Sequence, residues 1–274
     1  MDHIKSGSVP GISLDLGTLG IVSGIVDALA QFPKFPEFAV HNTYNITLVS
    51  GEGRDNVEGP YYYSSGRNMY DIRRSADDPI ISQDFAAFLG LASTRTALGL
   101  DSIPELSTTT TTAASPLSPS VRRAVTIRYL LDHGVRVILL HGDADYIANW
   151  YGGEAVSLAV NYSQAPLFRA TPYTPLVFGD AADYGKVREQ SNLSFAVVKD
   201  AGHFVPFDQP ALARELFRRA MAGLDLPTGR RPTNSSAAFP VVLDSPLTTA
   251  TVTTTATSAA TATEAADAEA TETL

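Results

Sequence analysis

Residues Val135–Trp150 read VRVILLHGDADYIANW and carry the strongest indication of the fold. The apolar run from Val137 to Leu140 has no polar interruption, which is typical of a strand buried on both faces of a parallel sheet. The run stops abruptly before two acids, Asp143 and Asp145. In open α/β sheets, functional groups gather just beyond the carboxyl ends of the strands. The stretch therefore predicts an α/β fold with an acid at the edge of the sheet where a site would form.

A histidine follows a second strand-like run, Leu193–Val198, within AGHFVPFDQP at residues 201–210. Gly202 permits a tight backbone path, and two prolines stiffen the chain after it, so the imidazole of His203 can keep the single orientation that a general base needs. A lone histidine after a strand is more often a turn or interface residue. The acid in the first stretch favours catalysis, because acid followed by histidine is the order found after the nucleophile in α/β-hydrolases.

Together the two stretches resemble the acid and histidine motifs of the serine carboxypeptidases, particularly the fungal secreted enzymes. The resemblance covers roughly residues 10–226 and includes three upstream segments: 13–27, 35–39 and Tyr70–Arg73. It implies part of an α/β-hydrolase fold, namely the last strands, the closing helices and a cap segment, residues 27–118, that overlies the active site.

The resemblance also implies roles for individual residues. Asp145 would orient the imidazole, His203 would be the general base, and Asp143 would support the turn. Phe204 would line the pocket for the leaving residue. The implied reaction is release of one C-terminal amino acid from a peptide or protein through an acyl-enzyme, which requires no metal or organic cofactor. His141, one residue before the acid turn, is expected to bond locally instead of acting as a base.

The chain departs from the family in one important respect: it contains no G-x-S-x-G motif for the nucleophile serine. The glycine-rich oxyanion segment of the family is also missing, and Ala148 stands where the family commonly has cysteine. We therefore expect residues 1–274 to be inactive alone. Two alternatives remain open: a non-catalytic protein that binds peptides or a partner, and a fragmentary gene product.

Composition argues against several other classes of protein. The formal net charge is −9, which argues against a nucleic-acid partner. No apolar run approaches the roughly 18 residues of a membrane span. The chain has no cysteine and no HExxH or phosphate-binding glycine motif, so neither a metal nor a nucleotide cofactor is predicted.

Sequons occur at Asn45, Asn161, Asn192 and Asn234, and these are candidate glycosylation sites. They favour secretion weakly, and the family resemblance implies a secreted or vacuolar protein. The N-terminus has no basic start followed by an apolar stretch, so the sequence predicts no signal peptide there.

Composition and periodicity also predict the local organisation of the chain. Polar, low-complexity sequence predicts disorder at residues 1–9, in an insertion at 107–116 and in a Thr/Ala/Ser-rich tail at 227–274. A loop-rich block is expected over residues 35–68. Helices are predicted at 27–34, where Pro33 would stop the helix, and at 79–98, 121–133, 149–160 and 210–224. The last helix places Leu212, Leu216, Phe217, Ala220 and Met221 on one face.

Overall fold

The computed structural model describes residues 6–8, 10–12, 16–48, 65–78, 88–99, 121–181 and 183–233. The strands are β1 (Thr18–Val22), β2 (Arg67–Asn68), β3 (Asp71–Ser75), β4 (Arg136–Gly142), β5 (Thr174–Pro175), β6 (Gly185–Gln190) and β7 (Leu193–Val198). The helices are α1 (Ala28–Gln31), α2 (Phe35–Val40), α3 (Ala92–Ala97), α4 (Val121–Asp132), α5 (Trp150–Ala159), α6 (Ala165–Ala170), α7 (Val205–Asp208) and α8 (Pro210–Met221). A 3-10 turn, Phe32–Lys34, joins α1 to α2.

Five strands form the main sheet in the order β1-β4-β7-β6-β5. Strand β4 runs parallel to β1 and β7, whereas β6 is antiparallel to both β7 and β5. Every residue of β4 and β7 is buried, as the apolar runs Val137–Leu140 and Leu193–Val198 predict, and the buried residues include the polar Arg136, His141 and Ser194. The pairing of Gly142 with Val198 brings the carboxyl ends of these two strands side by side.

Apolar clusters cover both faces of the sheet, because successive side chains of a strand point to opposite sides. Val137 and Leu139 of β4 belong to the cluster on one face, and Ile138 and Leu140 belong to the other. The first cluster takes residues from α4, α5 and α6: Ile127, Leu131, Val156, Ala165 and Phe168. The second takes residues from α8: Leu212, Leu216 and Ala220. The sheet is thus the middle layer between helices.

The helix predicted at 27–34 is an α-helix only over Ala28–Gln31 and ends just before Pro33, but Pro33 does not end the helical path of the chain. The chain continues through the 3-10 turn into α2, so the block predicted to be loop-rich opens with a helix. Pro33 and Pro36 lie in the first turn of their respective elements, where a missing N–H breaks no helical hydrogen bond. The helices predicted at 121–133 and 149–160 match α4 and α5.

The folded region extends past the predicted boundary at residue 226. The buried guanidinium of Arg219 donates to the carbonyl oxygens of Leu226 and Pro227 at 2.7 and 3.1 Å and to Val177 at 2.7 Å. The Thr233 N–H bonds to the Gly223 carbonyl at 2.7 Å. Residues 227–233 are therefore hydrogen-bonded to the fold, and a tail defined by composition begins too early. Residues 234–274, the insertion at 107–116 and the first part of the helix predicted at 79–98 lie outside the described residues.

An apolar groove of about 330 Å³ lies between β1 and α8. The spacing places Phe217 on one face with Leu212 and Leu216, but its side chain is 66% exposed and lines this groove with Met221. Val22 of β1 is also exposed there. Among the described strands, β1 pairs only with β4. The described part of the sheet therefore has an apolar, open edge at β1.

Candidate active site

Asp145 lies in the turn that follows β4 and is fully buried. Its Oδ1 accepts the Ala148 N–H at 3.1 Å, which closes the turn on itself. The side chain of Asn149 then caps α5 by accepting the Gly152 N–H at 3.0 Å. The acid is thus held between the end of a central strand and the start of a helix.

His141 also contacts the turn that carries Asp145. Its Nδ1 lies 3.0 Å from the Ala148 carbonyl oxygen, and burial lowers the pKa of the imidazole. A neutral ring with its proton on Nδ1 donates to that carbonyl. His141 therefore bonds locally, as its position one residue before the acid turn indicates, and helps to fix the backbone beside Asp145.

His203 meets Asp145 across the carboxyl ends of β4 and β7. Its Nδ1 lies 2.9 Å from Oδ2 of Asp145. Because a carboxylate can only accept hydrogen bonds, this contact places the imidazole proton on Nδ1 and leaves the lone pair on Nε2. The His203 N–H donates to the Tyr70 carbonyl at 2.7 Å, and the Tyr70 and Phe204 rings lie 5.2 and 5.1 Å from the imidazole. The geometry is that of an oriented base.

The β2–β3 hairpin contacts both loops that carry these residues. The Met69 carbonyl accepts the N–H groups of Tyr146 and Ile147 at 3.2 and 3.1 Å, next to the acid. The Ile72 N–H donates to the Ala144 carbonyl at 3.0 Å. Together with the bond from His203 to Tyr70, these contacts make the hairpin a common support for the acid and the histidine.

Asp143 points away from the imidazole. Its Oδ1 accepts the Tyr44 hydroxyl at 2.7 Å and the Ala201 N–H at 3.4 Å, so it joins Tyr44, which follows α2, to the backbone before His203. Burial raises the pKa of Asp143 to about 6. Burial and the bond to Asp143 also raise the pKa of Tyr44.

Sequence reasoning missed several supporting residues: Tyr44, Asp71, Arg73 and Asp208. Arg73 donates to Asp71 from Nε and Nη2 at 2.8 and 2.6 Å. Asp208 accepts the Gly202 N–H at 2.7 Å. Asp71 and Arg73 belong to a segment noted only for its family resemblance, and Asp208 lies inside the quoted histidine motif. Partners distant in sequence decide their roles, so local pattern alone gives no signal for them.

The candidate glycosylation sites differ in their surroundings. Asn45 and Asn161 are exposed, whereas Asn234 lies outside the described residues. The amide nitrogen of Asn192 donates to the carbonyl oxygens of Leu131 and Val135 at 2.9 and 3.0 Å. A glycan would replace one of the two hydrogens on that nitrogen, so at least one of these bonds would be lost, and the fold disfavours Asn192 as an acceptor.

Within the described residues, no group of three or more His, Asp or Glu side chains is arranged to hold a metal ion. No helix in the described part of the chain is long and apolar enough to cross a bilayer.

Comparison with known proteins agrees with this geometry. A sequence profile of the serine carboxypeptidases matches residues 18–223. Carboxypeptidase S1 homolog B of Arthroderma otae is 32% identical over 81% of this chain, and Carboxypeptidase Y homolog of Arthroderma benhamiae is 28% identical over 83%. The aligned regions cover 42% and 46% of those relatives, so the chain spans less than half of their length.

A solved structure gives the fold. The prohormone-processing carboxypeptidase of Saccharomyces cerevisiae superimposes with a TM-score of 0.54 at 19% identity, over 78% of this chain and 56% of that one. The mixed sheet with helices on both faces is accordingly part of an α/β-hydrolase fold, as predicted. The profile match over residues 18–223, with 32% identity to a relative over 81% of this chain, shows that the chain belongs to the serine carboxypeptidase family.

Proposed function

We propose that this chain supplies the acid and the base of a serine carboxypeptidase that releases C-terminal amino acids from peptides or proteins. The observation that carries the proposal is the 2.9 Å contact between His203 Nδ1 and Asp145 Oδ2 at the carboxyl ends of two central strands. Family membership supports the type of reaction.

In the proposed mechanism, Nε2 of His203 takes the proton of a serine hydroxyl as the serine oxygen bonds to the scissile carbonyl carbon. The imidazolium then gives that proton to the leaving amine as the C–N bond breaks. Asp145 keeps the imidazole in the required tautomer and stabilises its positive charge. Water, activated by the same histidine, releases the acyl group from the serine.

We infer that the nucleophile comes from polypeptide outside this sequence, because the chain holds no G-x-S-x-G motif. Two observations support this inference. The chain aligns with 42% of a family relative, and β1 has an apolar edge next to an open groove. Residues 1–274 alone should therefore not hydrolyse peptides.

Phe204 is proposed to line the pocket for the leaving residue. Its ring lies 5.7 Å from the Tyr70 ring, beside the imidazole, and pockets for apolar groups commonly have aromatic walls. The substrates would be the free C-termini of peptides or proteins. A secreted or vacuolar location, with glycans on the exposed Asn45 and Asn161, fits the family resemblance.

The test compares the chain alone with a chimera. The chimera joins the part of Carboxypeptidase S1 homolog B that precedes its aligned region to residues 18–274 of this chain. Each protein is treated with a serine-reactive fluorophosphonate probe and with two blocked dipeptides, one with a free C-terminal carboxylate and one amidated. We expect labelling and turnover of the free-carboxylate substrate by the chimera alone.

Matched histidine variants assign the base. In the chimera, His203→Ala should abolish turnover, whereas His133→Ala, at an exposed position after α4, should not. A correctly folded chimera that neither reacts with the probe nor cleaves the dipeptide would contradict the proposal. Turnover by the chain alone that disappears on His203→Ala would show that the nucleophile lies within residues 1–274.

A further inference from the structure

The loop that carries His203 is closed by a side chain further along the chain. Oδ2 of Asp208, the last residue of α7, accepts the Gly202 N–H at 2.7 Å. His203 is the first residue inside the closed segment 202–208. The Asp208 side chain is only 8% exposed, so water competes little for this bond.

Two arginines of the β2–β3 hairpin surround the same carboxylate. Arg73 Nη2 lies 3.6 Å from Oδ2 of Asp208, and Arg74 Nη2 lies 3.9 Å from Oδ1. Arg73 is itself fixed by its two bonds to buried Asp71. The hydrogen bond with Asp71 raises the pKa of Arg73, so its positive charge persists beside Asp208.

The loop lies directly against the hairpin. A Cβ atom added to Gly202 would come within 2.4 Å of the Tyr70 carbonyl oxygen and 2.9 Å of Asp71 Cβ. The next residue, His203, donates its N–H to that carbonyl. A small displacement of the Gly202 backbone therefore changes both the bond to Tyr70 and the direction in which the imidazole projects.

We propose that Asp208, paired with Arg73, is a positioning residue for His203: it holds the Gly202 N–H and so keeps His203 Nδ1 at hydrogen-bond distance from Asp145. This inference rests on the proposed role of His203 as the base. Asp208 acts through the backbone of the loop. The arginines lie within 4 Å of its carboxylate and help to orient it, and a charged acceptor forms the stronger hydrogen bond.

The test follows the imidazole proton in the full chain, labelled with 15N in its histidines. Long-range 1H–15N spectra report which ring nitrogen of His203 carries the proton. His141, bonded to the Ala148 carbonyl, is an internal marker of the intact fold. The variants are Asp208→Ala, Asp208→Asn and Arg73→Gln. Asp183→Asn is the control, because Asp183 is 84% exposed and pairs with Lys199.

The wild type should carry the His203 proton on Nδ1. In Asp208→Ala the ratio of the Nδ1–H to the Nε2–H form should fall by about tenfold or more, because a hydrogen bond to a charged group is lost and the loop is released. Asp208→Asn keeps an acceptor for the Gly202 N–H, so its ratio of the two forms should lie between those of the wild type and Asp208→Ala. Arg73→Gln should give a ratio similar to that of Asp208→Asn, and the control Asp183→Asn should give the wild-type ratio.

An unchanged His203 tautomer in Asp208→Ala, with the His141 signals intact, would overturn the inference. If that variant does not fold, wild-type tautomer ratios in both Asp208→Asn and Arg73→Gln would overturn it instead. The spectra need no catalysis, so an inactive chimera would count against the proposed function and leave this test unaffected. In an active chimera, Asp208→Asn should lower kcat with KM unchanged.

Discussion

Asp143 should make the stability of this chain depend on pH in the direction opposite to most carboxylates. Burial raises its pKa from 3.8 to about 6, so the folded protein retains a proton that the unfolded chain has already lost. Asp143→Asn removes the titration and keeps an oxygen that can accept the Tyr44 hydroxyl. The comparison of the two proteins therefore isolates the burial of one carboxyl group.

The size of the effect follows from the two pKa values. The free energy of unfolding of the wild type is highest, relative to Asp143→Asn, below pH 3.8 and falls as the pH rises through 6, because the folded state binds more protons over that range. A change from 3.8 to about 6 corresponds to about 3 kcal/mol. Urea unfolding of the full chain between pH 3.5 and 7.5 measures it.

We expect the difference, Asp143→Asn minus wild type, to grow by about 3 kcal/mol between the two ends of this pH range. Asp183→Asn controls for loss of one acidic charge at an exposed position. A difference that stays flat with pH, or that shrinks as the pH rises, would refute the reasoning and show that Asp143 is ionised in the folded protein at acidic pH.

Three further substitutions test other contacts. In an active chimera, Asp145→Asn should lower kcat by about 10⁴-fold, because an amide facing Nδ1 favours the wrong tautomer of His203; near wild-type kcat would exclude Asp145 as the orienting acid. Arg219→Ala should lower the free energy of unfolding by about 3–5 kcal/mol, since it leaves buried acceptors unpaired, and a loss below about 1 kcal/mol in urea would contradict this. Asn192→Ala should lower the free energy of unfolding by about 1–3 kcal/mol, because it removes the bonds to the Leu131 and Val135 carbonyls, of which only the Leu131 oxygen keeps a second donor, the Gly134 N–H. Asn161→Ala, at an exposed position, should cost less, and equal losses would contradict this expectation.

Two local patterns in the sequence are enough to predict the central strands of the fold and the two residues that meet at their ends. The apolar runs in β4 and β7 identify buried strands, and Asp145 and His203 lie in the loops just after them. β4 and β7 are parallel neighbours, so their carboxyl ends lie side by side, and the 2.9 Å contact between the two side chains follows from this topology. Amphipathic spacing likewise places Leu212 and Leu216 of α8 in the core.

The supporting contacts are harder to predict, because they join residues far apart in the chain. The bond from Tyr44 to Asp143 and the pairing of Arg73 with Asp208 have no local signature. Phe217 has the spacing of a core residue, yet it lines an open groove, because spacing defines a helical face and does not say what covers it. Composition predicts a tail from residue 227, but it cannot reveal that Arg219 donates hydrogen bonds to the carbonyl oxygens of Leu226 and Pro227.

The long excursion between β1 and β4 has a consequence for how this protein can change over evolutionary time. β1 ends at Val22 and its partner β4 begins at Arg136, and the described residues between them lie outside the main sheet. Closing such an excursion costs free energy that rises only slowly with its length, by about 0.6 kcal/mol for each doubling. Insertions there are cheap, provided that residues 67–75 still reach the loops of Asp145 and His203. The hairpin is one of several fixed points in this segment, together with the helices α1, α2 and α4 that contribute buried residues. Insertions elsewhere in the segment can therefore accumulate while Asp145 and His203 stay in place.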